Sequence, residues 1–136
     1  MGLAERRAIK AFQEETLPEL IEQISEVLGF KPEVSLDYDA LAEDGMDHLY
    51  QNAWPKVYFE PAIEALKSIC ADDMGKEAAA ESLKSISIVS EKDNVYPEYF
   101  ASLADGVLKL DHKPFSNIDH VDRRAEALQQ VLEDSL

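Results

Sequence analysis

The stretch SISIVSEKDNVYPEYFASLADGVLKLD, residues 85–111, carries the strongest strand signals in this chain of 136 residues. Its first five residues alternate serine with isoleucine and end in valine, a composition typical of a short strand. Further along, Asp105-Gly106 separates two apolar segments, residues 99–104 and 107–111. Both residue types tolerate the positive φ angles of a two-residue turn, so the pair predicts a β-hairpin. Three strands with short connections favour antiparallel neighbours.

Helical patterns flank this stretch on both sides. An apolar stripe with helical spacing runs from Leu17 to Leu28, and Gly29 suits the left-handed position that ends many helices. Thr16 and Glu19 have the spacing of a capping box, which predicts that a separate helix begins there. Apolar spacing predicts four further helices, with approximate bounds 3–13, 61–71, 72–84 and 118–134. An alternative start for the second of these is near Pro55, with a kink.

The fold class follows from the order of these elements. Residues 33–38 alternate strictly, which predicts one more strand with Val34, Leu36 and Tyr38 on one face. The predicted order is therefore ααβααβββα, and the chain length suits one domain. We predict a single α+β domain over residues 1–136. Its small sheet would have three to four strands, mostly antiparallel, with helices packed mainly on one face.

Composition indicates the compartment. Cys70 is the only cysteine, so no internal disulfide can form, as is typical of proteins in a reducing compartment. The first residues contain no apolar run of signal-peptide length, and no apolar stretch approaches the length of a membrane span. We therefore expect a soluble, cytoplasmic protein without a membrane partner.

The charge distribution points to a class of partner. The net charge is −15, and residues 11–55 carry −10 of it, with Lys31 as their only basic residue. Such a surface repels nucleic acid, which needs lysine or arginine to replace its counterions. It favours basic proteins or cations, and it also promotes solubility without any binding function.

Motifs that carry chemistry are absent from the sequence. It contains no glycine-rich phosphate loop, no cysteine-pair zinc motif, no glycine-flanked nucleophilic serine and no His-Glu-x-x-His helix. Cys70 lies on an apolar helical stripe, which fits an inert small side chain better than a nucleophile. We expect no cofactor, and catalysis would require residues brought together only by folding.

Two groups of residues are candidates for a metal site. The acidic run over residues 37–48 offers oxygen ligands but departs from the calcium-loop pattern, because Ala42 stands where that loop needs glycine. His112, His120 and Asp122 lie close in sequence and form a conceivable site for a metal ion or for acid–base chemistry. Carboxylates at a helix N-terminus also stabilise the helix without any function.

Two aromatic segments, residues 54–59 and 96–100, each contain a proline. Aromatic side chains fill cores, but they are also enriched at the centres of protein interfaces. The sequence leaves both interpretations open for these segments.

The favoured hypothesis is a non-catalytic module that binds a basic protein. Bacterial immunity proteins and antitoxin-like inhibitors use the same electrostatic logic, although no motif of either is present. The alternatives are a homo-oligomeric structural protein, such as a homodimer, and a small metal-dependent or acid–base enzyme using His112 and His120. The predicted partner-binding residues are Asp37, Asp39, Glu43, Asp44, Asp47, Tyr50 and Tyr58, the two tyrosines on condition that they are exposed.

Overall fold

The computed structural model describes residues 1–136 and contains one four-stranded sheet in the order β1-β2-β4-β3. The strands are β1 (Glu33–Leu36), β2 (Ser85–Val89), β3 (Ala101–Ala104) and β4 (Val107–Asp111). The helices are α1 (Leu3–Ala11), α2 (Leu17–Leu28), α3 (Tyr38–Leu41), α4 (Tyr50–Trp54), α5 (Glu60–Ile69), α6 (Asp73–Ser82) and α7 (Val121–Ser135). The α+β class and the predicted order of the main elements are confirmed.

The sheet is mixed, so the prediction of a mostly antiparallel sheet is wrong. β1 and β2 are parallel, β2 and β4 are parallel, and only β3 and β4 are antiparallel. β4 lies between β2 and β3, although β3 comes first along the chain. β4 contributes the fully buried Leu108 and Leu110, whereas Ser102 and Ala104 of β3 are exposed. The more apolar strand takes the central position because neighbours on both sides shield it from water.

The hairpin between β3 and β4 is confirmed. Asp105 and Gly106 have φ angles of 53° and 82°, so the turn uses the left-handed region that these two residue types tolerate. The carbonyl of Gly106 accepts hydrogen bonds from the amides of Lys84 and Ser85, at 2.8 and 3.1 Å. The turn is thereby attached to the start of β2.

The first two helices are continuous, so the capping box predicted at Thr16 is wrong. A π-helical turn, Phe12–Thr16, joins α1 to α2, and Thr16 keeps helical angles of φ −114° and ψ −47°. The Thr16 hydroxyl donates to the side chain of Gln51 on a neighbouring helix instead of capping its own. The predicted end of α2 is confirmed, because Gly29 has φ 83° and its amide donates to the carbonyl of Ser25.

A second continuous helical segment runs from Tyr50 to Ile69 and begins earlier than either predicted start. Its π-helical turn, Pro55–Phe59, joins α4 to α5. Pro61 has no amide hydrogen, so it cannot donate to the carbonyl of Val57 four residues earlier. The buried side chain of Arg124 on α7 supplies the missing donor, with its Nε 3.0 Å from that carbonyl.

Arg124 binds three more carbonyl oxygens. Its guanidinium nitrogens donate to Lys56 at 3.3 Å, to Asn117 at 2.8 Å and to Ile118 at 2.8 Å. One fully buried cation therefore connects the π-helical turn of the second helical segment with the residues that lead into α7.

The helices cover one face of the sheet, as predicted. The covered face carries Ile86, Ile88, Leu108 and Leu110, all of them buried. The opposite face carries a row of polar residues paired across the four strands: Ser35, Ser87, Lys109 and Ser102. None of the helices combines the length and the apolar composition that a bilayer crossing requires.

Candidate binding site at the carboxyl edge of the sheet

The carboxyl edge is the end of the sheet at which the three parallel strands β1, β2 and β4 terminate. The segments that leave these strands, residues 37–49, 90–96 and 112–120, lie side by side there as a consequence of the strand order. Ligand sites of sheets with parallel strands commonly form outside such carboxyl ends. A ligand site is therefore expected at the carboxyl edge.

One pocket at this edge has a volume of about 460 Å³ and is called the tyrosine pocket below. Its lining includes Asp93, Asn94, Tyr96, Tyr99, Lys109 and Asp111. Tyr96 and Tyr99 are 59% and 69% exposed, more than any other aromatic side chain in the protein. Their ring centroids lie 6.5 Å apart and the ring planes meet at 89°. The pocket thus presents two perpendicular aromatic walls to solvent.

A buried carboxylate also lines the tyrosine pocket. Asp111 is only 6% exposed, and its Oδ1 accepts a hydrogen bond of 3.0 Å from the amide of Glu91. Its Oδ2 accepts no hydrogen bond from the protein and is not sealed from solvent. Lys109 forms an ion pair of 2.8 Å with Glu91, and this hydrogen bond raises the pKa of Lys109. Of the two lysines that line the pocket, Lys92 and Lys109, the second is therefore already paired.

Asn94 fixes the loop that carries the tyrosines. Its buried side chain donates to the carbonyls of Tyr96, at 3.0 Å, and Asp111, at 3.1 Å. Its Oδ1 accepts from the amide of Tyr96 at 2.9 Å. A 3-10 turn, Pro97–Tyr99, then positions the second tyrosine. The two rings are held by hydrogen-bonded backbone rather than by packing against the core.

A second pocket of about 520 Å³, the acidic hollow, adjoins the first. Its lining includes Ala42, Glu43, Met46, Asp93, Lys113 and Phe115, so Asp93 is shared with the tyrosine pocket. The two pockets form a continuous surface across that aspartate.

The five predicted carboxylates lie in the chain segment next to the acidic hollow. Asp37, Asp39, Glu43 and Asp44 are exposed and Asp47 is half-buried. None of them takes part in an ion pair within the protein. Only Asp37 has a local role, because it caps α3 by accepting from the amide of Ala40 at 3.3 Å. Their charges are free to act on another molecule.

Tyr50 and Tyr58 do not meet the condition of exposure, because both are fully buried. Together with Trp54 they recur every four residues, which places all three on one side of the helical segment, towards the core. The Tyr50 ring stacks on Trp54 at 4.3 Å, and its hydroxyl donates to the carbonyl of Glu43 at 3.1 Å. The Tyr58 hydroxyl donates to the carbonyl of His112 at 2.5 Å. Burial raises the pKa of both tyrosines.

His112, His120 and Asp122 are not brought together as the predicted metal site. His112 is fully buried, whereas His120 and Asp122 are exposed. No group of three or more histidine, cysteine, aspartate or glutamate side chains is arranged to hold a metal ion, and this includes the acidic run over residues 37–48.

The imidazole of His112 is also unsuited to acid–base work on a substrate. Its Nδ1 lies 2.6 Å from the carbonyl of Lys113 and must donate there, because a carbonyl only accepts. Its Nε2 is enclosed and has no hydrogen-bond partner. Burial lowers the pKa of His112, and this effect outweighs the hydrogen bond to the Lys113 carbonyl, which acts in the opposite direction.

Cys70 has the environment of an inert thiol. It is half-buried at the end of α5, and burial raises the pKa of its thiol. A nucleophilic cysteine needs the opposite shift, towards the thiolate.

The sequence interpretation missed Asn94 and Asp111 of the tyrosine pocket as site residues, and it left Tyr96 and Tyr99 open between core and interface. The available signal was the proline-containing aromatic segment 96–100 directly before a predicted hairpin. That signal could not distinguish core from surface. No protein-family model, curated protein sequence or solved structure shows significant similarity to the chain.

Proposed function

We propose that the protein is a non-catalytic binding module whose acidic surface engages a basic protein. The observation that carries this proposal is the group of five carboxylates beside the acidic hollow, none of which is neutralised within the protein. They are Asp37, Asp39, Glu43, Asp44 and Asp47. The enzymatic alternative has less support, because the ring of His112 is enclosed and the thiol pKa of Cys70 is raised.

Such a module would act through long-range electrostatic attraction of its partner. A dense field of one sign steers an oppositely charged partner and raises the association rate more than it raises the intrinsic affinity. Exposed charges are screened by salt over about 8 Å at physiological ionic strength. Binding should therefore weaken steeply with salt, mainly through slower association.

The test compares two variants with the same change in net charge. The acidic variant neutralises the five carboxylates as Asp37→Asn, Asp39→Asn, Glu43→Gln, Asp44→Asn and Asp47→Asn. Asparagine also caps helices, so the loss of the charge at position 37 should not disturb α3. The control variant carries glutamine at five exposed glutamates away from this surface: Glu64, Glu77, Glu81, Glu126 and Glu133.

Pull-downs from lysate of the source organism, at about 50 mM and about 500 mM salt, identify candidate basic partners for purification. With the purified partner we expect the acidic variant to associate at least about ten-fold more slowly at low salt, and the control variant to keep most of the wild-type rate. Capture of the same proteins at both salt concentrations, of no protein, or an equal loss in both variants would refute the proposal.

A further inference from the structure

Packing in the core does not explain the positions of Tyr96 and Tyr99, because both side chains are exposed. Every other aromatic ring of the protein is buried or half-buried. These two rings instead stand perpendicular to each other at a pocket mouth, on a loop ordered by Asn94. Rigid, exposed aromatic side chains that line a pocket are the usual anchor points of protein interfaces, because little entropy is lost when they bind.

The chemistry of the pocket fits a cation with a flat, apolar face. Tyrosine rings attract cations through their π faces, and a guanidinium can stack on one ring while its N–H groups reach an acceptor. The Oδ2 of Asp111 provides a solvent-accessible acceptor on a mostly buried side chain, and no group of the protein uses it. Lysine can form the first interaction but lacks the planar fork needed for stacking and hydrogen bonding together.

The charge balance around the pocket also favours a cationic ligand. The acidic side chains at the pocket are Glu91, Asp93, Glu98 and Asp111, against Lys92 and Lys109. Lys109 is paired with Glu91, so the remaining field is negative. The pocket also continues through Asp93 into the acidic hollow, so a single basic segment can contact both.

We propose that the tyrosine pocket receives an arginine side chain of the basic partner, with the guanidinium stacked on the face of one of the two tyrosine rings, Tyr96 or Tyr99, and hydrogen-bonded to Asp111. This inference rests on the proposed function and adds the anchoring residue to it. The acidic hollow would attract the partner, and the tyrosine pocket would select arginine over lysine.

The test uses two capped peptides, GKGKGRGKGKG and GKGKGKGKGKG, which carry the same charge and differ only at the central residue. Each is titrated into ¹⁵N-labelled protein and followed by amide chemical shifts. We expect both peptides to shift amides of residues 37–47. The arginine peptide should shift amides around Tyr96, Tyr99 and Asp111 more strongly than the lysine peptide does, and it should bind about five-fold more tightly.

Two variants separate ring contact from a structural role. Y96A/Y99A removes both rings from exposed positions, so the protein should keep its melting temperature and its shifts at residues 37–47 but lose the preference for arginine. Y96F/Y99F keeps both ring faces and should retain that preference. A third variant, D111N, keeps an oxygen to accept from the amide of Glu91 and should weaken the preference for arginine.

The outcomes distinguish the two proposals. Equal affinity for both peptides, with shifts confined to residues 37–47, would overturn the arginine pocket and leave the electrostatic proposal standing. No shift with either peptide would overturn both. If ethylguanidinium alone filled the pocket as tightly as the arginine peptide, the pocket would be a small-cation site, and the docking inference would be wrong.

Discussion

Two pairs of tyrosines in proline-containing segments have opposite fates in this protein. Tyr50 and Tyr58 are fully buried, and each hydroxyl donates to a backbone carbonyl. Tyr96 and Tyr99 are mostly exposed, and neither hydroxyl has a partner within the protein. The first pair belongs to a long helical segment packed in the core, whereas Tyr96 precedes and Tyr99 ends one 3-10 turn, Pro97–Tyr99, at the carboxyl edge.

Residue type alone therefore does not assign these side chains to a core or an interface. A helix repeats a position about every four residues, so Tyr50, Trp54 and Tyr58 reach the core together once that side of the helix is covered. A single turn has no such repeat, and its side chains follow the loop geometry. Only the second pair is available to a partner.

The largest expected effect is the loss of stability when a buried polar side chain is removed. Arg124→Met should destabilise the protein by at least about 3 kcal/mol, because one buried and three partly buried carbonyls lose their donor. This corresponds to a fall in melting temperature of roughly 10 °C. The measurement is urea unfolding followed by circular dichroism.

The neighbouring exposed residue provides the control for this substitution. Arg123→Met removes the same charge from a solvated position and should change stability by less than about 0.5 kcal/mol. Similar losses in the two variants would contradict the role assigned to the buried guanidinium.

A smaller change in stability is expected when one hydroxyl is removed from each pair of tyrosines. Tyr58→Phe leaves the buried carbonyl of His112 without its donor and should cost about 1–3 kcal/mol. Tyr99→Phe removes a solvated hydroxyl and should cost less than about 0.5 kcal/mol. Both values come from the same unfolding experiment. The contrast between the pairs would be lost if the two substitutions had equal effects.

The smallest expected effect is a pH dependence of stability caused by His112. The carbonyl of this residue accepts the hydrogen bond from Tyr58. Burial lowers the folded-state pKa of His112 below its ordinary value of 6.5, so the unfolded chain binds the proton more readily. Stability should therefore be nearly constant at about pH 8 and decrease as the pH falls through 6.5 to about 5.5. Urea unfolding across this range measures the decrease.

Two variants assign this pH dependence to one imidazole. His112→Gln should flatten the dependence, and His120→Gln, at an exposed position, should retain it. A dependence that disappears in the second variant and persists in the first would contradict the assignment.

Local sequence signals predicted much of the fold because they act within a few residues. Gly29 ends α2, Asp105-Gly106 forms the hairpin, and Asp72 caps α6 by accepting from the amide of Gly75 at 2.8 Å. The prediction failed at Thr16, whose capping spacing is overridden by a contact with Gln51, far along the chain. That contact depends on helix packing, which no local pattern encodes.

The candidate site was predicted in part. The acidic segment over residues 37–47 was identified from charge alone, because most charged side chains stay in solvent and a dense run of one sign has no internal partners to bury it. Tyr96, Tyr99 and Asp111 become a pocket only when β4 inserts between β2 and β3 and the loop after β2 folds over its end.

The α+β class, most of the elements and the acidic segment therefore follow from the amino-acid sequence, since backbone preferences, periodicity and charge are properties of neighbouring residues. Tertiary structure alone decided the parallel pairing of β1, β2 and β4, the burial of Tyr50 and Tyr58, and the exposure of Tyr96 and Tyr99. The physical reason is that burial is a property of the whole packed molecule. A side chain is removed from water only by residues that the chain brings from elsewhere.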